Sequence, residues 1–303
     1  MISFKVLNGE NKSEVINSFS KVLSDEALQT LTEIVLGFNT GIEDSEFALS
    51  VYSGCALVRV FDMGRYCFLF PYEIEADSDV SASISAIAEY AMREEIPLIF
   101  SDVPFDCLSY FRGFRHMDID AEDIEAESYR VRIKNECDLI SSVPSVVRGR
   151  VELNEISEND IPDYARLCKD QNVNKYWGYN YSEDMNNPSD RYFYENALRE
   201  FSSGVSVSMA VRFEGHFIGE AIIYAFDGRG CAEFAIRLLP EWQGKGLGNE
   251  SSLAISDVGR KIGLTRLSCR VMNANGASLA MLRKLSADFT EEESESVFYI
   301  DLS

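Results

Sequence analysis

The sequence predicts an α/β (α+β) fold of two tandem units, each a mixed, mostly antiparallel twisted sheet flanked by helices. Three observations carry this prediction. The chain has 303 residues, and at about 100–200 residues per domain that length suits two domains. Short runs alternate apolar and polar residues, the mark of half-buried strands, while other stretches place apolar residues three and four apart, the mark of helices. The order of these runs in the second half is met again in the first.

Hydrophobic residues make up 46% and charged residues 26% of the chain, a globular composition that excludes a disordered one. The formal net charge of −22 and a pI of about 4.5 speak against a nucleic-acid or anionic-membrane partner, since both need a basic face. The acid surplus suits solubility and permits a cationic small substrate. No apolar run reaches the roughly 18–20 residues of a membrane span. The start, Met1 to Val6, lacks a charged segment followed by a long apolar core. The 7 cysteines are scattered without a C-x-x-C pair, so a reduced, cytoplasmic setting with thiols packed as small hydrophobes is expected. His116 and His216 are the only histidines, which leaves little for a zinc site or a Ser-His-Asp triad. Cys107 with His116 nearby invites a nucleophile reading, but nothing in the sequence orients the pair.

Residues 141–150, with Pro144, Gly149 and almost no acid, read as the linker between domains at 1–148 and 149–303. In the second half, 151–153 is a short strand. Asn159 and Asp160 cap a helix with Pro162 in its first turn, running to about Lys169. A polar-aromatic loop over 174–181 carries Tyr176, Trp177, Tyr179 and Tyr181, and a helix over 190–201 follows. Strand-like 205–213 and 217–225 are joined by a tight hairpin at Glu214, Gly215 and His216, and 232–239 is the third strand. The glycine-rich stretch Gln243 to Asn249 opens a helix with Ile255, Val258 and Ile262 on one face and a stop at Gly263. Leu267, Cys269 and Val271 alternate with polar residues as a strand, Leu279, Leu282 and Leu285 mark a helix, and 297–302 closes as a strand.

The first half follows the same plan: a hairpin of 47–52 and 55–61, a strand 66–70 ending at Pro71, a helix with Ile84, Ile87, Ala88 and Ala91, and a buried strand 98–100. An acidic run over 118–127 reads as a solvated hairpin, lacking calcium-loop spacing, and 129–133 as the last strand. Setting Pro71 on Pro240 gives an offset of 169 positions, with the next helix and strand following without a gap. An internal duplication accounts for this order; two unrelated domains of similar rhythm are the alternative.

Most of the chemistry lies in the turn after Leu238 and Leu239. Gly244, Gly246 and Gly248 let the main chain take positive φ and come close to a ligand. Unpaired N–H groups at a helix start form an anion-binding concavity, which the helix dipole strengthens, and Lys245 adds a point charge. The implied ligand is a phosphate or diphosphate. A G-x-x-x-x-G-K-[ST] loop is absent, and G-x-G-x-G on the third strand of an antiparallel sheet is not the dinucleotide fingerprint, so ATP and NAD are disfavoured.

At these residues the chain resembles the GNAT superfamily of N-acetyltransferases. The family motif [Q/R]-x-x-G-x-[G/A] matches Gln243 to Gly248 in full. Phe217-Ile-Gly-Glu-Ala221 is similar to the strand preceding the motif in the branch that acetylates protein N-termini and ribosomal proteins. Asn275 and Ser278, followed by Leu282-Arg-Lys-Leu285, are similar to that branch's N-x-x-S helix, so the resemblance covers residues 150–303.

The resemblance implies tandem acyl-CoA N-acyltransferase-like units and an acetyl-CoA site without metal. Gln243, Gly244, Lys245, Gly246, Leu247, Gly248 and Asn249 hold the diphosphate. Leu238 and Leu239 stand at the family's bulged strand, beside the pantetheine arm, and the Leu238 backbone polarises the thioester carbonyl, where negative charge grows as the amine attacks. Asn275 bonds the cofactor near its thiol, with Ser278 as its polar neighbour or simply a polar helix start. The implied reaction is direct attack by a neutral amine, which needs a proton acceptor. Glu233 is the first candidate base, or else a hairpin-edge carboxylate; Glu220 is the reserve on the substrate side, or else a salt-bridge partner. Tyr176 and Trp177 either cage a cationic amine or pack on the helices. Many family members place a tyrosine where this chain has Leu282.

The expected partner is a small or peptide amine, and the chain a monomeric pseudo-dimer or a homodimer. At the offset of 169, Glu75, Asp77 and Asp79 face the three loop glycines, so the first half is expected not to bind CoA there. A CoA- or metabolite-sensing module without turnover is the alternative from another class.

Overall fold

The computed structural model describes residues 4–7, 47–52, 55–60, 65–69, 84, 99–123, 128–177, 188–286 and 288–302. They fall into two compact units, Met1–Lys134 and Asn135–Ser303. Among the described residues no helix is long and apolar enough to cross a membrane.

The first unit is built on a sheet of β1 (Phe4–Leu7), β2 (Phe47–Tyr52), β3 (Cys55–Val60), β4 (Arg65–Leu69), β5 (Ile99–Pro104), β6 (His116–Asp123) and β7 (Ser128–Lys134). Its order is β1-β2-β3-β4-β5-β7-β6, and only β4 and β5 run parallel. Phe100, Val103, Phe111 and Val131 are fully buried, as is helical Ile84. The acidic run expected as a solvated hairpin largely forms the exposed outer strand β6 of the antiparallel β6–β7 hairpin. Its register places Asp118 opposite Arg132 and Asp120 opposite Arg130, and opposite charges across a ladder favour a strand. The stretch holding Pro71, Glu75, Asp77 and Asp79, and Ile87, Ala88 and Ala91 of the expected helix, lie outside the described residues.

The second unit contains β8 (Val146–Arg148), β9 (Val151–Glu155), α1 (Ile161–Lys169), α2 (Gln171–Asn174), α3 (Asp190–Ser202), β10 (Ser206–Phe213), β11 (His216–Tyr224) and β12 (Cys231–Leu238). It continues with α4 (Leu247–Lys261), β13 (Arg266–Met272), α5 (Gly276–Leu285), β14 (Phe289–Glu291) and β15 (Glu295–Asp301). The sheet order is β14-β15-β13-β12-β11-β10-β9-β8, and again one pair, β12 with β13, is parallel. The expected linker is corrected here. Val146–Arg148 turns back at Gly149 and pairs antiparallel with β9, so the end of that segment is an edge strand, and the division between units falls earlier, after Lys134. The short helix α2 falls between the helix expected to about Lys169 and the loop expected from Asn174; the Asp170 carboxylate caps it by accepting from Asn172 and Val173 N–H at 2.9 and 3.0 Å.

The seven strands β9 to β15 follow the same order as those of the first unit, with the parallel pair in the same place. The gapless offset is corrected by one residue, because Tyr66 pairs with Phe100, 34 positions on, whereas Cys231 pairs with Arg266, 35 positions on.

Helices cover both faces of the second sheet. On one face, Leu247, Ala254, Ile255 and Val258 of α4 and Leu282 of α5 pack with Val211, Ile218, Phe234, Leu238 and Leu267. On the other, Tyr164, Leu167 and Cys168 of α1 and Phe193 of α3 pack with Ala210, Phe217 and Leu239. Each fully buried aliphatic side chain contributes about 1.5–3 kcal/mol, which fixes β12 and the start of α4 between two layers.

Candidate active site

The turn from β12 to α4 has the geometry of an anion cradle. After a 3-10 turn at Pro240–Trp242, Gly244 and Gly246 take φ of 71° and 81°, and Gly246 is the N-cap of α4. That left-handed conformation excludes most other residues at low cost. Gln243 N–H is used by Pro240 C=O, and Asn249 and Glu250 N–H by Gly246 C=O. Among the described residues, the N–H groups of Gly244, Lys245, Gly246, Leu247 and Gly248 between them donate no hydrogen bond. Consecutive unpaired donors at the positive end of a 15-residue helix fit a diphosphate. Of the side chains expected there, Gln243 turns back, its Nε2 donating to Leu238 C=O at 2.8 Å. Lys245 Nζ lies 4.6 Å over the Trp242 ring, and Leu247 is buried in the core, so the loop offers its ligand main chain above all.

Next to this cradle the sheet splits. β12 and β13 are laddered only over Cys231–Glu233 against Arg266–Ser268, although β12 runs on to Leu238 and β13 to Met272. Leu239 N–H donates to Ile218 C=O at 2.9 Å, so it faces β11. Because backbone groups alternate edges along a strand, the N–H groups of Leu238 and Ile236 face the open side, whereas that of Phe234 is taken by the last step of the ladder to Ser268. The expected role of Leu239 is therefore corrected: its N–H is consumed by the sheet, and Ile236 joins Leu238 on the free edge. Gly219 stands opposite Leu238; a Cβ there would lie 2.3 Å from Arg237 O, so only glycine allows this close approach. At the far side of the split, Asn275 caps α5, its Oδ1 accepting from Ser278 N–H at 3.2 Å, while its Nδ2 makes no hydrogen bond among the described residues. Tyr176 reaches the same turn, its hydroxyl donating to Ala274 C=O at 3.3 Å.

The carboxylates divide. Glu233 sits where the ladder ends, half-buried, 3.8 Å from Arg270 Nη2, and accepts from the Tyr224 hydroxyl at 3.4 Å. Burial, then the charge of Glu233, pushes the Tyr224 phenol up, so it stays a donor. Glu220 is corrected as a substrate-side group. It is 2% exposed, ion-paired with Arg237 Nη2 at 2.6 Å, and bonded by the Tyr164 hydroxyl at 2.6 Å. Arg237 also donates to Asn174 Oδ1 and lies 4.2 Å over the Trp177 ring. Trp177 thus packs on an internal cation. Tyr179, Tyr181, Glu183 and Asp184 of the same loop lie outside the described residues.

Among the described residues Cys107, Cys137, Cys168 and Cys269 are buried, a poor setting for a nucleophile. Burial pushes Cys107 up to about 11 and Cys168 and Cys269 up to about 12, which leaves almost no thiolate at neutral pH. Among the described residues no cluster of three or more His, Cys, Asp or Glu could hold a metal ion.

The family model of the acetyltransferase (GNAT) domain matches residues 150–287. No curated protein matches the chain. Among solved structures, the chain is similar to spermidine N-acetyltransferase from Vibrio cholerae in complex with CoA and spermine, at 18% identity and a TM-score of 0.44, covering 50% of this chain and 96% of that one. A GNAT-family acetyltransferase from Bacillus anthracis is 17% identical at a TM-score of 0.42, covering 52% and 99%. Mycobacterium smegmatis RimJ in complex with CoA-disulfide is 15% identical at a TM-score of 0.42, covering 52% and 88%. The part of the chain that the GNAT acetyltransferase domain model matches, residues 150–287, carries the glycine-rich cradle and the split strands.

Proposed function

We propose that the second unit is an acetyl-CoA-dependent N-acetyltransferase that moves an acetyl group to a primary amine by direct attack in a ternary complex. The run of unpaired N–H groups from Gly244 to Gly248, set beside an open strand edge, carries this proposal. Bound acetyl-CoA supplies the acetyl group as a thioester. The cradle holds the diphosphate, and the free edge of β12 takes the extended arm as an added strand would. The N–H of Leu238, fixed by its ladder to β11, stabilises the oxyanion that forms on attack. Glu233 takes the proton lost by the amine, with Tyr224 holding its carboxylate. Leu282 is buried and offers no proton to the departing thiolate.

The acceptor class we favour is a cationic amine, small or peptidic. Asn273 Nδ2 donates to Glu292 C=O at 3.0 Å, which seats the exposed acidic stretch Glu291–Glu293 beside the turn that Tyr176 touches; such a mouth attracts cations. The first unit we read as a second copy of the fold without a CoA cradle, supported by its matching strand order.

Release of free thiol from acetyl-CoA, measured against polyamine, amino-acid, peptide and aminoglycoside panels, tests the proposal. Turnover with one amine class and none with Gly246→Asp is expected, since a carboxylate in the cradle repels the diphosphate. CoA binding without turnover by any amine would leave the sensing module.

A further inference from the structure

The diphosphate loop is held from behind by a residue far from it in sequence. Arg150, just before β9, lies 100 positions from Glu250. Its backbone N–H donates to Glu250 Oε2 at 2.7 Å and its Nε to Oε1 at 2.8 Å. Its Nη2 donates to Lys245 C=O at 3.0 Å. The guanidinium also lies 6.0 Å from the Phe213 ring centre, and a Cβ on Gly246 would sit 3.5 Å from Nη2.

Two physical consequences follow for the loop. In a trans peptide the C=O and N–H point opposite ways, so fixing Lys245 C=O on Arg150 turns Gly246 N–H away from Arg150, toward the cradle. Glu250 is the acid in the first turn of α4. A carboxylate there suits the helix dipole but opposes a second anion at the same helix end. The Arg150 fork neutralises it.

We propose that Arg150 is the positioning residue of the diphosphate cradle, aiming the Gly246 N–H and cancelling the charge of Glu250, so that it governs affinity for the nucleotide half of acetyl-CoA without touching the acyl transfer. This rests on the acetyl-CoA reading above. The test compares wild type, Arg150→Met and Arg150→Lys with two acetyl donors, acetyl-CoA and S-acetylpantetheine, which lacks the diphosphate, and titrates each variant with CoA by calorimetry. Arg150→Met should lose about tenfold in kcat/KM for acetyl-CoA, through KM, with a matching loss in CoA affinity, as expected for one charged hydrogen bond. Its kcat/KM for S-acetylpantetheine should stay within about twofold of wild type. Arg150→Lys, charged but without the fork, should fall between. Equal losses with both donors would make Arg150 a prop of the fold, and unchanged CoA affinity would leave it idle; either overturns the proposal. If wild type binds CoA but transfers to no amine, the acetyltransferase reading fails alone and the calorimetric comparison still decides the role of Arg150. If wild type binds no CoA, both fall.

Discussion

Glu220 and Arg237 show how strongly one buried pair constrains the second unit. Both are nearly inaccessible, at 2% and 5%, and both sit on strands that border Leu238. Two ions taken from water are tolerated when their hydrogen bonds are met. Here Tyr164, Asn174 and Cys168 Sγ meet them. Burial, then the charge of Glu220, pushes the Tyr164 phenol well above its ordinary range, so it remains a donor. Removing one member strands the other, at a cost of about 3–5 kcal/mol. Glu220→Leu should therefore lose about that much stability in denaturant unfolding, and Glu220→Leu with Arg237→Met should recover most of it. A pair that contributed only surface charge would show a loss under about 1 kcal/mol.

Elements are held in register by single contacts of this kind. The pairing of β10 with β11 shifts between Val211 and Arg212, and such a bulge bends the strand locally. Just beyond it Gly219 lets β12 approach. Gly219→Ala should cost about 1–3 kcal/mol through overpacking and lower kcat more than it raises KM, because it shifts the backbone of Leu238; steady-state kinetics on the folded variant would check this. At the start of α1, burial would raise Asp160, but the Arg212 guanidinium and the Ser157 N–H and hydroxyl outweigh it and hold the carboxyl below its usual range. The folded state thus binds this proton less tightly than the unfolded chain. The stabilisation is complete above the unfolded carboxyl pKa of about 3.9 and fades as pH falls through the lower folded value. As pH falls from about 4 through the lower folded value, wild type should lose stability more steeply than Asp160→Asn, as unfolding titrations at a series of acid pH values would read.

At the scale of the whole molecule, two sheets share one strand plan, yet the glycine-rich cradle is found once in the sequence. We expect one CoA per chain by calorimetry, and none for Gly246→Asp. A second molecule bound to that variant would show that the first unit has a cradle of its own. The net charge of −22 adds a further expectation: with a cationic acceptor, KM should rise with ionic strength, since screening weakens long-range attraction beyond about 8–10 Å. A KM flat in salt would point to a neutral amine.

Local signals were legible in the sequence because local physics sets them. The periods of 2 and 3.6 placed β10 to β13, α1, α3 and α4 to within a few residues, and the glycines beside a strand end marked a turn with left-handed backbone, which holds at Gly244 and Gly246 but not at Gly248, a helical residue of α4. Edge strands β8 and β14 escaped, being three residues long and too short to show a period. What only the tertiary structure decided depends on partners distant in the chain. Glu220, read as a reserve base on the substrate side or else a salt-bridge partner, is the latter, claimed by Arg237. Leu239 gives its N–H to the sheet while Ile236 faces the open edge, a distinction set by ladder register. Arg150 meets Glu250 across 100 positions. Pairing across such separations is fixed by packing of the folded chain, and no local pattern of residue types encodes it.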